Sequence, residues 1–187
     1  MEDYAVQRLT SRPIPVDVFL ERWVDVPRFL SCCRQCGNYG ERWSCPPYDF
    51  QPEDWWRRFD HIVLEGRKLC FSQAARDSRP LSWGIEALGR EKDALLEELL
   101  ARESGGSQAL AAGACSLCPV CARREGALCR QRDRMRYSIE SLGGDVVSIA
   151  RECFQTELLW SGDGRLPAYY FLVGGMACPA ERSQNKP

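Results

Sequence analysis

The stretch L-S-W-G-I-E-A-L-G-R-E-K-D-A-L-L-E-E-L-L-A-R, Leu81 to Arg102, decides the fold class. Ile85, Leu88, Leu95, Leu96, Leu99 and Leu100 recur at helical spacing on one face, and Lys92 and Arg102 fall outside it. Gly105-Gly106 ends the helix. Strand-like segments flank it. Upstream, His61-Ile62-Val63-Leu64 opens a buried strand running toward Phe71. Downstream, Gln108 to Ala112 reads as a short strand, and Pro167 to Val173, with Tyr169, Tyr170 and Phe171, as a better one. A long helix among strands predicts an α+β fold: a small mixed or antiparallel sheet with helices packed on it.

Outward from that centre the pattern becomes shorter-ranged. Residues 1–31 read as an N-terminal arm with one or two short helices. Ile14-Pro15-Val16-Asp17 opens one, with Val18, Phe19, Trp23 and Val24 as its apolar face. Pro52-Glu53-Asp54 starts a short helical turn through Phe59. Arg134 to Leu142 reads as a helix stopped by Gly143-Gly144, and 145–154 stays open between helix and strand. The expected organisation is a single metal-binding domain over 1–178, followed by a polar tail, 179–187, expected to be disordered.

Composition narrows the chemistry. The chain has 187 residues, eleven cysteines and one histidine. A lone histidine excludes histidine-rich zinc sites and H-E-x-x-H proteases, and leaves any histidine-based nucleophilic mechanism to His61. Net charge is −1, so no global field draws the protein to nucleic acid or to an anionic membrane. Met1 to Arg12 carries four charges and no apolar run, and no stretch approaches the length of a membrane span. The expected location is cytoplasmic, where clustered cysteines serve as ligands or catalytic groups more often than as bridges. Their odd number agrees.

Spacing divides the cysteines. Cys115-x2-Cys118-x2-Cys121-x7-Cys129 places three thiols on a short loop and a fourth further on. That arrangement suits a four-iron (4Fe-4S) cluster, whose irons each take one thiolate. Structural zinc, the alternative, is usually held by two separated C-x2-C pairs. Cys33-x2-Cys36-x8-Cys45, in the loop-like segment 32–50, offers three thiols. A fourth ligand there could be Cys32, Cys70, Cys153, Cys178 or a residue other than cysteine. Alternatively one iron is left open to water, a sulfur species or substrate, as catalytic metal sites leave a position free. Structural zinc remains an alternative here too.

Six arginines (123, 124, 130, 132, 134 and 136) against Glu125 and Asp133 surround the second motif. They could offset an anionic cluster or dock an acidic redox partner; with the whole chain near neutrality, a nucleic-acid patch is disfavoured. Trp43, Trp55 and Trp56 read as a hydrophobic shell near the first motif, and His61 as a strand-end residue. No dinucleotide or P-loop fingerprint occurs.

These residues also resemble a family. C-x2-C-x-N-Y-G-x2-W-S-C-P-P at 33–47, G-A-C-S-L-C-P-V-C-A-R-R-E-G-A-L-C-R at 113–130 and R-M-R-Y-S-I-E-S-L-G-G-D-V at 134–146 are similar to three signatures of the predicted metal-binding protein family, domain of unknown function 2284. Gln131 departs from the pattern, where the family carries a proline nearby. The resemblance implies metal binding and assigns no reaction. The expectation is an iron–sulfur protein with Cys115, Cys118, Cys121 and Cys129 on one cluster and Cys33, Cys36 and Cys45 on a second centre. It would act in electron transfer with a redox partner protein. The rivals are an enzyme using an open iron on a small-molecule substrate, by desulfuration or dehydration chemistry, and a structural zinc protein or redox sensor.

Overall fold

The structure is a computed structural model that describes residues 3–161 and 164–180. In chain order the elements are β1 (Tyr4–Thr10), β2 (Ile14–Pro15), α1 (Val16–Trp23), α2 (Val26–Arg34), α3 (Pro52–Trp56), β3 (His61–Phe71), α4 (Gln73–Ser78), α5 (Leu81–Arg102), β4 (Gln108–Leu110), α6 (Val146–Phe154) and β5 (Tyr169–Cys178). The strands form one antiparallel sheet in the order β1-β3-β5-β4, with β2 added to β3. The protein is therefore α+β.

Alternation along β3 and β5 assigns the two faces of the sheet. Ile62 and Leu64 of β3, with Ala177 opposite Ile62 and Val173 opposite Gly66 on β5, join Phe19, Trp56, Ile139 and Ile149 in the main core, beneath α1, α3 and α6. On the opposite face, Met176 meets Leu95 and Leu99 of α5, while Leu69 and Phe71 meet Tyr170 and Leu166. Arg67, on that same face and almost fully buried, forms ion pairs with Glu91 and Glu98 of α5. The sheet is thus covered on both sides. A side chain at position 174 would meet the Leu110 carbonyl at 2.7 Å and Leu95 at 3.2 Å, so Gly174 lets α5 approach the strand closely.

Several expectations need correction. The N-terminal segment is not merely an arm: Tyr4–Thr10 is the edge strand paired along β3. On α1 the buried residues are Val16, Phe19 and Trp23, and Val18 faces solvent. On α5, Ile85 is exposed, because the buried stripe follows Gly84, Ala87, Leu95, Leu96 and Leu99. Lys92, expected outside the stripe, donates to the Ala114 carbonyl. The ambiguous segment 145–154 resolves to α6, capped by Asp145 accepting from Ser148 N–H at 3.0 Å.

Arg134 to Leu142 does not form the expected helix. The Tyr137 carbonyl accepts from Ala111 N–H at 2.9 Å, and Ser138 bridges to Ala111. The Ser138 and Ser141 hydroxyls then bond the local backbone, and only a 3-10 turn, Glu140–Leu142, remains. Most of the expected tail, 181–187, lies outside the described residues. Among the described residues no helix is long and apolar enough to cross a membrane.

Candidate metal centre

Two cysteine-bearing segments are hydrogen-bonded to each other. The first begins on α2, not in a loop: Asp25 caps α2 by accepting from Arg28 N–H at 3.1 Å, and Pro27 sits in its first turn. Cys32 and Cys33 therefore lie on the last turn of a helix. The chain then folds through Cys36 and the Asn38-Tyr39-Gly40 turn to Cys45, with Gly40 N–H returning to the Pro46 carbonyl at 2.7 Å. Gly40 has φ +73°, the left-handed region expected of this turn. The second segment leaves β4, carries Cys115, Cys118, Cys121 and Cys129, and returns at the Ala111–Ser138 bridge.

Side chains from one segment bond the other. Ser44 Oγ accepts from Cys115 N–H at 3.0 Å, and Arg42 donates to the Cys115 carbonyl at 2.7 Å. Arg42 also holds Asn38 Oδ1 at 2.8 Å. From the other side, Arg123 Nη1 donates to the Arg42 and Cys45 carbonyls, the latter at 2.6 Å. Trp43 donates its indole N–H to the Ala127 carbonyl at 3.0 Å. Trp43 is thus a link between the segments, with the Arg123 guanidinium over its ring. Trp55 and Trp56 belong to the main core instead, with Trp56 donating to the Leu142 carbonyl at 3.1 Å.

Cys33, Cys36 and Cys45 line one cavity of about 160 Å³, together with Asn38, Ser138 and Glu140. Cys45 is buried, Cys33 half-buried and Cys36 exposed. Burial and the neighbouring Cys45 and Cys36 push the Cys33 thiol up to about 11. Burial likewise raises Cys45, against the Ser44 hydroxyl, which works the other way. A second cavity of about 230 Å³ adjoins Cys33 and is lined by Tyr39, Tyr48, Phe50 and Glu140.

The spare cysteines are placed elsewhere. Cys153 on α6 packs against the main core, and Cys178 against the Leu95–Met176 cluster. Cys70 pairs in the sheet with Ala5 and Tyr169. Cys32 is exposed beside Cys33. His61 sits at a strand end, with Nδ1 3.1 Å from Asp60, and lines a different cavity.

In the second segment, Cys115 lies close enough to Cys129 and Cys118 for their charges to add to its burial in raising its pKa. Lys92 and the Leu117 N–H oppose that rise. Gln131 N–H donates to Cys129 Sγ at 3.4 Å. Cys121 immediately precedes a 3-10 turn, Ala122–Glu125, that ends at left-handed Gly126. Among the described residues, no group of three or more His, Cys, Asp or Glu side chains is placed so that it could hold a metal ion.

The arginine cluster is largely matched. Arg124 pairs with Glu41 and Arg130 with Glu125, each at 2.5 Å; Arg134 pairs with Glu97, and Arg136 with Glu103 at 2.5 Å. Glu41, Glu97 and Glu103 lie outside the local window that suggested a basic patch.

One residue missed at the level of sequence is Glu140. It lines both cavities, and its carboxylate oxygen Oε2 is buried without a hydrogen-bond partner. Burial raises its pKa against the Ser138 hydroxyl, Lys92 and the Gly113 backbone. Its position inside an apparent helix hid it; the Ser138–Ser141 pair was the available signal.

The two cysteine-bearing segments are hydrogen-bonded to each other within an α+β fold. The family described as predicted metal-binding protein (DUF2284) matches residues 15–172, and the chain belongs to it. No curated protein and no solved structure matches the chain.

Proposed function

We propose that the protein binds two iron–sulfur centres and transfers electrons, supporting a partner redox enzyme. The carrying observation is that Cys33, Cys36 and Cys45 line one cavity while the adjacent backbone is bonded to the Cys115 segment. A cubane cluster spreads its thiolates over separate irons, so its ligands surround a volume and do not converge on a point. Three cysteines spread around one cavity suit that geometry, and the Cys115-x2-Cys118-x2-Cys121 spacing suits it better than the two separated pairs of structural zinc. The second centre would take Cys115, Cys118, Cys121 and Cys129. The Gln131 N–H on Cys129 sulfur is the kind of donor that stabilises a cluster's reduced, more negative state.

Because the two segments are bonded to each other, the two proposed centres would be neighbours. One electron would enter from a reduced partner protein and leave to an acceptor, with no bond made or broken in the chain. Clustered, unbridged cysteines support a cytoplasmic setting for this role. The test is electron paramagnetic resonance of the anaerobic protein during reduction. Two reversible one-electron signals are expected, one lost in Cys118→Ser and the other in Cys36→Ser. A protein with no reducible signal contradicts the reading.

A second reading has one specific observation in its favour. The 230 Å³ cavity reaches Cys33 and could admit a small substrate to a centre with an exchangeable ligand. Substrate-dependent perturbation of the Cys36-dependent signal would favour that enzyme.

A further inference from the structure

We infer that Glu140 supplies the fourth protein ligand of the Cys33, Cys36 and Cys45 centre, through its carboxylate. The inference rests on the iron–sulfur reading above and adds the one ligand that the cysteine pattern leaves unassigned.

Glu140 shares the 160 Å³ cavity with all three cysteines, and none of Cys32, Cys70, Cys153 and Cys178 lines it. Its Oε2 oxygen has no accessible surface and no hydrogen-bond partner, whereas other parts of the side chain retain some exposure. A buried acceptor left unpaired costs about 1–3 kcal/mol, more when charged, so such an atom needs a partner. A cation in the cavity would be that partner.

The fold delivers this carboxylate deliberately. Glu140 opens the 3-10 turn that ends at Gly143, where φ is +87°. The Gly143 carbonyl accepts from Asp25 N–H at 2.9 Å, and Asp145 N–H donates to the Trp23 carbonyl at 2.7 Å. These bonds dock the turn against the start of α2, the helix that carries Cys33. Lys92 is the near cation, but its ammonium donates to the Ala114 carbonyl and makes no hydrogen bond to Glu140 Oε2. An iron held by sulfide and one carboxylate oxygen exchanges its outer ligand more readily than one held by thiolate, so the same iron is where an added small molecule would bind.

The test is Mössbauer spectroscopy of the full chain reconstituted with iron-57 and sulfide, as wild type, Glu140→Gln and Glu140→Cys. In wild type, one iron dependent on Cys33, Cys36 and Cys45 should show oxygen ligation. Its isomer shift should change in Glu140→Gln and move to the thiolate value in Glu140→Cys. A wild-type spectrum with thiolate-ligated irons alone, or a Glu140→Gln spectrum identical to wild type with iron content intact, overturns the Glu140 assignment and leaves the cluster reading standing. Full iron content in a Cys33→Ala, Cys36→Ala, Cys45→Ala chain overturns both. If Glu140→Gln fails to fold, the wild-type spectrum alone still decides, and Glu140→Asp should retain an oxygen-ligated iron that is lost faster in air.

Discussion

Cys115 donates its backbone N–H to the Ser44 hydroxyl at 3.0 Å, one residue before Cys45. A member of one cysteine motif is thereby held by the neighbour of a member of the other, across 71 positions of sequence. Ser44 is buried, so the bond lies in a site where losing it leaves an unpaired donor. Replacing Ser44 by Ala is expected to destabilise the metal-free fold by about 1–3 kcal/mol. Urea unfolding of the two proteins would measure it; an unchanged midpoint would remove the coupling.

Gly143 should resist substitution. An alanine Cβ there would meet the Val26 Cα at 2.9 Å, in a backbone region that L side chains rarely adopt. Gly143→Ala is expected to cost about 1–3 kcal/mol and to loosen α2. Hydrogen exchange of the α2 amides would report the loosening.

These two positions show what could be read from sequence and what could not. The α5 helix, β3, β5 and the α+β class follow from local periodicity, because each element packs a regular stripe. The edge strand Tyr4–Thr10 was illegible: its pairing with β3 is a tertiary fact, and its residues Arg8 and Thr10 alternate without a strong apolar face. The segment from Arg134 misled for the opposite reason. Its amphipathic spacing is helical, but Ala111 and the two serines claim its backbone groups. Cysteine spacing located both motifs, while Glu140 depended on a turn that spacing does not encode. The arginine cluster looked basic because its acidic partners Glu41, Glu97 and Glu103 are distant in sequence.

Glu103 gives a pH-dependent prediction. Burial works to raise its pKa, but the Arg136 guanidinium and the Ala109 N–H hold the carboxyl below the ordinary glutamate range. A depressed carboxylate pKa contributes stability that is present above its unfolded value, 4.5, and is lost as pH falls through the folded value. Glu103→Gln should therefore cost about 2 kcal/mol near neutrality, and less as pH falls below 4.5. Thermal unfolding at several pH values would show the gap narrow; a constant gap would contradict it.

Lys92 is the ammonium that acts on both Cys115 and Glu140. Removing that charge disfavours adding an electron nearby, so Lys92→Met should lower the reduction potential of the centre proposed at Cys115. A redox titration followed by electron paramagnetic resonance would detect the shift, and a rise would refute the placement.

The spare cysteines should be dispensable for metal. Cys70→Ser, Cys153→Ser and Cys178→Ser should each retain full iron, whereas Cys36→Ser or Cys118→Ser should lose about half, one centre of two. Iron analysis of the purified variants separates these outcomes.

The central claim, two four-iron centres on seven cysteines, is most directly tested by counting iron and acid-labile sulfide in protein purified without oxygen. The account predicts roughly eight of each per chain. Zinc in their place, with no acid-labile sulfide, would contradict it.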